Sequence, residues 1–238
     1  MKELLEVFKK DEKNYYERLK SIYEKVESGD CAGCGLCCSE SVGATYTESL
    51  NIISFIKKNN IMTRKLMDSI VDYYLDVYIK RNKCPFLDED KKCLIYDVRP
   101  LNCRLYGHWV EKEYEANYER LLKENIEISK ELEKSYDFKV PNDYLTFKIP
   151  YCKDFKGKIM KKPQRDALYD LTLKEDNTLI LKNDINIEYE DMGIVEHILG
   201  YLLNKDIILN LKLKGKLNKK MRNRIKNIAW LRWSALRL

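Results

Sequence analysis

Histidine is scarce in this chain of 238 residues: His108 and His197 are the only two, and neither falls in a His-x3-His or His-Glu-x2-His arrangement. That excludes the helix-borne metal site that needs two imidazoles one turn apart. Glycine is nearly as sparse, with nine residues, and the only Gly-x-Gly is Gly33-Cys34-Gly35. The Gly-rich strand-to-helix turn that cradles a nucleotide-like cofactor is missing, so any S-adenosylmethionine site is expected to be unorthodox. No apolar run of about twenty residues appears, and no transmembrane helix is expected. Met1-Lys2-Glu3-Leu4-Leu5-Glu6 opens a charged amphipathic helix where a secretory leader would have a continuous apolar segment. The expected compartment is cytoplasmic.

Cysteine, by contrast, is dense. Four of the eight cysteines sit in Cys31-Ala-Gly-Cys34-Gly-Leu-Cys37-Cys38, and the others follow singly as Cys84, Cys93, Cys103 and Cys152. An even count in a secreted mini-protein would read as a disulfide framework, but a chain of this length builds its own core and shows no leader. Metal is the better reading, with one site and spare thiols or two four-ligand sites. In a Cys-x-x-Cys turn the sulfurs converge, and Gly33 and Gly35 allow positive φ so that backbone amides aim at sulfur. Four thiolates suit zinc and a [4Fe-4S] cluster equally. Adjacent Cys37 and Cys38 do not easily face one ion, so one is expected at the main site and the other elsewhere. Cys34-x3-Cys38 has the first interval of a radical-chemistry motif, but Ser41 stands where its third cysteine belongs.

The neighbours of the thiols each admit two readings. Arg99 and Arg104 flank Cys103 and either offset the negative charge of a four-thiolate site or pair with Asp88, Glu89, Asp90 or Asp97. His108 either joins the metal site or is a partly exposed loop residue, the latter preferred because thiols already outnumber the ligands needed. His197, in an apolar helical stretch, is expected in the core or at its boundary.

Periodicity reads as mainly helical. Tyr15, Tyr16, Leu19, Ile22, Tyr23 and Val26 mark an N-terminal helix ending near Gly29. Thr45-x-x-Glu48 is a capping box opening a helix to Asn59, and another follows Thr63 with a stripe from Leu66 to Tyr78. Residues 82–110 lack a sustained period and read as a loop organised by metal. Residues 111–136 return to a charged helix. Residues 144–149 read as a short strand delivering Cys152, and 178–181 with 185–189 as a hairpin. Charge is uneven: residues 205–238 hold eleven Lys and Arg against Asp206 alone, while the rest of the chain is slightly acidic. Leu217, Met221, Ile225, Ile228, Leu231, Ala235 and Leu238 form the apolar face of that tail, with Trp230 and Trp233 beside it, so it either docks on the body or meets an anionic membrane, nucleic acid or an acidic protein.

The order Cys-x2-Cys-Gly-x-Cys-Cys, then Cys84-Pro-Phe-Leu, then Cys93-Leu-Ile-Tyr-Asp-Val-Arg99-Pro100-Leu-Asn-Cys103-Arg104, resembles the YkgJ-type cysteine-cluster family, which is described as zinc- or iron-chelating. The resemblance spans residues 31 to about 106. With Cys152 added, the cysteine order is similar to that of the flagellin lysine-N-methylases, and this implies S-adenosylmethionine-dependent protein methylation. The present chain departs from them in length and in its tighter first cluster.

The expected fold is therefore mainly α, with an irregular cysteine-rich metal-binding core and a small β hairpin. Residues 1–204 form the cluster domain and 205–238 a basic amphipathic C-terminal helix. The expected function is a metal-binding protein that holds an iron-sulfur cluster or zinc through Cys31, Cys34, Cys37, Cys38, Cys84, Cys93, Cys103 and Cys152, as an electron-transfer or accessory module with a protein partner. The alternative is the S-adenosylmethionine-dependent lysine methylase. A third class is a nucleic-acid-binding protein whose zinc is structural and whose tail binds phosphate.

Overall fold

Thr45 and Glu48 close the capping box that their spacing predicts. The Thr45 hydroxyl accepts from the Glu48 amide at 3.3 Å, and the Glu48 carboxylate accepts from the Thr45 amide at 3.0 Å. The computed structural model describes residues 2–39, 41–185, 190 and 192–236. Its helices are α1 (Lys2–Lys10), α2 (Glu12–Tyr23), α3 (Tyr46–Lys58), α4 (Arg64–Asp76), α5 (Leu101–Leu105), α6 (Glu111–Tyr136), α7 (Asn142–Leu145), α8 (Lys162–Leu181), α9 (Ile194–Leu202), α10 (Lys205–Leu213) and α11 (Lys219–Ala235). Among the described residues the named strands form two antiparallel pairings of two residues each. β1 (Gly29–Asp30) pairs with β3 (Lys156–Gly157), and β2 (Gly43–Ala44) with β4 (Met192–Gly193). Among the described residues no helix is long and apolar enough to cross a membrane.

Helix α3 is the centre. Leu50, Ile52, Ile53 and Ile56 have no exposed surface, and α1, α2, α8 and α9 pack around them. Burying each such side chain stabilises the fold by roughly 1.5–3 kcal/mol. A helix buried on every side must also satisfy its polar residues. Asp176, reaching across from α8, accepts the Tyr46 and Thr47 amides at 2.7 and 2.8 Å. Glu48 has a second duty, accepting from the Tyr23 hydroxyl at 3.0 Å and the Leu101 amide at 2.7 Å. It thereby ties α2 and the start of α5 to the central helix, and α5 carries Cys103. Glu48→Ala strands these buried donors together, so a loss of about 3 kcal/mol is expected, read as a lowered urea midpoint, with Glu48→Gln losing less.

His197 lies in the core as expected. Its Nε2 donates to the Ala44 carbonyl at 2.8 Å, the ring sits edge-on to Tyr46, and burial holds its pKa down at about 4. The unfolded chain, with an ordinary histidine pKa, binds the proton first. Stability from this residue is thus full above about pH 6.5 and is lost as pH falls towards 4, by about 2 kcal/mol between pH 7 and 4.5. His197→Gln should flatten that part of the stability–pH curve.

Several sequence expectations need correction. The N-terminal helix is broken at Asp11 into α1 and α2, and α2 ends at Tyr23. Residues 178–181 are the last turn of α8, not a hairpin arm, and 186–189 lie outside the described residues. The strand expected at 144–149 begins instead as the end of the one-turn helix α7. Small β structure is present, but it joins segments distant in sequence. The tail folds as two helices around Gly215, whose φ is +65°. Its buried face is Ile225, Ala229 and Trp233, while Leu231 is 66 % exposed. That buried face belongs to the main core and packs on α4 and α9.

Candidate metal centre

The first cysteine loop takes the shape that its glycines allow. Gly33 and Gly35 have φ of +67° and +72°, and the Gly33 amide points at Cys31 Sγ from 3.4 Å. The chain then tightens into a 3-10 turn over Leu36–Ser39, which places Cys37 Sγ and Cys38 Sγ 3.9 Å apart. The Cys84 amide donates to the Cys38 carbonyl at 2.8 Å, joining this loop to the next.

That next loop is a knuckle. The Leu94 amide donates to Phe86 O at 2.8 Å, Leu87 and Cys93 form an antiparallel bridge, and the Asp88 carboxylate accepts the Lys92 amide at 2.7 Å. Fully buried Phe86 anchors it to the core. Cys103 follows on α5, whose start is held by Glu48.

These segments enclose a cavity of about 320 Å³ whose lining includes Cys31, Cys37, Cys38, Cys84, Cys93 and Cys103. A neighbouring hollow of about 410 Å³ shares Cys31, Cys37 and Cys103 and adds Cys152. Cys34 lines neither hollow, although its charge acts on Cys152. The thiols line the walls without closing on one point: among the described residues no three Cys, His, Asp or Glu side chains are gathered tightly enough to coordinate an ion as placed.

The donor set nevertheless fits a thiophilic centre. Among the described residues the six-thiol cavity has no carboxylate in its lining, which disfavours calcium or magnesium and suits zinc or iron-sulfur chemistry. Its charged lining is Lys91, Lys92 and Arg99, all cationic. Arg99 stacks on Tyr96 at 3.9 Å and leaves a buried Nε with no partner. Burial pushes the Cys84 thiol up to about 12, Cys103 well above the usual range and Cys93 above it as well. The hydrogen bond with Cys38, followed by burial, does the same to Cys37. The positive charge of Arg99 opposes this only in part at Cys37, Cys93 and Cys103. Thiols so placed stay protonated unless a strong cation sits among them, which is the condition a metal supplies.

Of the two arginines, Arg99 lines both hollows and Arg104 only the second. Arg104 spends its donors on the Arg99 and Asp97 carbonyls at 2.9 and 2.7 Å and stacks on Tyr23, clamping the turn before Cys103. Neither pairs with the nearby carboxylates. His108 is buried, not partly exposed, and its Nδ1 lies 2.7 Å from the Lys158 carbonyl. It lines the second hollow only. Lys91 and Lys92 were missed at the sequence level, although their position just before Cys93 is a usable signal.

No curated protein and no solved structure matches the chain. Over residues 30–127, a span that takes in seven of the eight cysteines and leaves out Cys152, the chain matches the CxxCxxCC family, described as a "putative zinc- or iron-chelating domain".

Proposed function

We propose that the protein carries an iron-sulfur cluster of the [4Fe-4S] type and works as an electron-transfer or accessory module. One observation carries this reading: six thiols share a cavity of about 320 Å³ with cations at its edge and, among the described residues, no carboxylate. A single tetrahedral zinc ion needs four donors in contact and no such void, whereas a cubane occupies volume. Cys31, Cys37, Cys84, Cys93 and Cys103 are the candidate ligands, of which a cubane would take four. When bound, the cluster supplies a one-electron centre, and exposed Cys31 places it within reach of a partner surface. Gly33 donates to the Cys31 sulfur and Arg99 offsets the negative charge.

Anaerobic purification tests this. The expected product is brown, has iron and sulfide in equal amounts, and bleaches on reduction; a colourless protein with stoichiometric zinc overturns the cluster. The reading gives S-adenosylmethionine no role, and calorimetric titration of the loaded protein is expected to be flat.

The tail enters the same reading as an electrostatic contact. Arg222 and Lys226 are spent on Asp76 and Asp72, but Lys214, Lys216, Lys219, Lys220 and Arg224 are exposed and make no ion pair among the described residues. With the apolar face of α11 already in the core, the partner assigned is nucleic-acid phosphate. Neutralising five phosphates implies a log–log salt slope of about −4.5 for duplex DNA, flattened by Lys219→Gln with Lys220→Gln. Binding to anionic vesicles without any to DNA would overturn that partner.

A further inference from the structure

Cys152 lies outside the matched span, and the turn that follows it has an unusual seat. Phe155 lies where a Cβ on Gly29 would come within 2.1 Å of its ring, one on Gly107 within 2.3 Å and one on Gly157 within 2.5 Å. These distances are impossible for any side chain. None of the three glycines has positive φ, so it is space and not backbone conformation that requires glycine. Gly29 and Gly157 are cross-strand partners in β1 and β3, and Gly107 belongs to the turn after Cys103. The ring therefore plugs a slot built from the segment before Cys31, the segment after Cys103 and its own strand.

The surroundings reinforce the seat. The His108 ring meets Phe155 edge-on at 4.6 Å, and its Nδ1 hydrogen-bonds to Lys158 O. The Met160 amide returns to His108 O at 2.8 Å. Cys152 itself lines the second hollow together with Phe155, Cys31, Cys37 and Cys103.

We propose that Phe155, locked between Gly29, Gly107 and Gly157, is a latch that positions Cys152 in the hollow adjoining the thiol cavity, beside Cys31, Cys37 and Cys103, and so adds a thiol to the donor set from a segment outside the CxxCxxCC domain. The proposal rests on the reading of that cavity as a metal centre. Phe155 is a positioning residue, acting only through Cys152.

Two readouts separate the latch from the metal reading. In the reduced, metal-free protein, the rate at which iodoacetamide alkylates Cys152, followed by peptide mass spectrometry, is expected to rise about tenfold in Phe155→Ala and in Gly107→Ala, with Cys84 and Cys103 unchanged. Phe155→Leu, which keeps an apolar plug, should lie between them and the native protein, and serves if the alanine variants do not fold. In the protein reconstituted anaerobically with iron and sulfide, the visible absorption of Phe155→Ala should match that of Cys152→Ser and differ from the native spectrum. An unchanged Cys152 alkylation rate in folded variants overturns the latch whether or not metal binds. Raised alkylation with no iron retained by any variant or by the native protein keeps the latch and removes the metal reading.

Discussion

Cys37→Ser is expected to lose its metal more completely than any other single cysteine variant. Cys37 is common to both hollows, touches Cys38, and interacts with Cys84, Cys93, Cys103 and Cys152. Loss of a residue that merely supports a ligand typically weakens metal binding by about 10–100-fold, so a thiol at the centre of the set should cost at least about 100-fold. Competition with a chromophoric chelator measures this directly. Cys34→Ser is the informative comparison: Cys34 lines neither hollow, and most of the affinity should remain. His108→Ala should also load, because its Nδ1 is engaged with Lys158 O. Full occupancy in Cys37→Ser would remove the assignment of the first loop.

The contrast between these cysteines was not readable from spacing, which treats the four thiols of Cys31 to Cys38 alike. Local features were legible because local chemistry fixes them: the Thr45 box, the Thr63 cap accepting the Leu66 amide, the positive φ of Gly33 and Gly35, and the span of α6. The last turn of α8 was not. Its inward face is Arg165, Leu168, Thr172, Asp176 and Leu179, so three of five buried positions are polar and the apolar stripe vanishes. What remained visible was Thr178-Leu179-Ile180-Leu181, a run that reads equally as strand. Those polar residues are tolerated because each is hydrogen-bonded: Asp176 to the start of α3, Arg165 to Glu113 at 2.7 Å, and Thr172 to the Tyr169 carbonyl of its own helix at 2.9 Å. The glycine slot was invisible for a related reason. Gly29, Gly107 and Gly157 share no motif and meet only through the ring of Phe155.

Removing the metal should strip hydrogen-exchange protection from the Cys84–Cys93 knuckle and the first cysteine loop while leaving α3 protected. Sequence alone predicted that all of residues 82–110 depend on the metal, since no apolar period runs through them. The structure divides that segment. Ile95, Val98, Leu101 and Leu105 are buried, and the Leu101 amide is held by Glu48, so the stretch through α5 has a stabilising core of its own. Between Cys84 and Cys93 only Phe86 is fully buried, and the knuckle is held by its bridge and a few turn hydrogen bonds. Six clustered thiols without a cation have little reason to stay together, and metal-binding energy is folding energy for such a loop. The amides of Cys84, Lys92 and Leu94 should therefore exchange on the order of 100-fold faster after chelation, about 2.7 kcal/mol of lost local stability. Those of Ile52, Ile53 and Ile56 should change little. Equal protection of the knuckle with and without metal would mean that its hydrogen bonds and Phe86 suffice, and the thiols would then be passengers on a preformed loop.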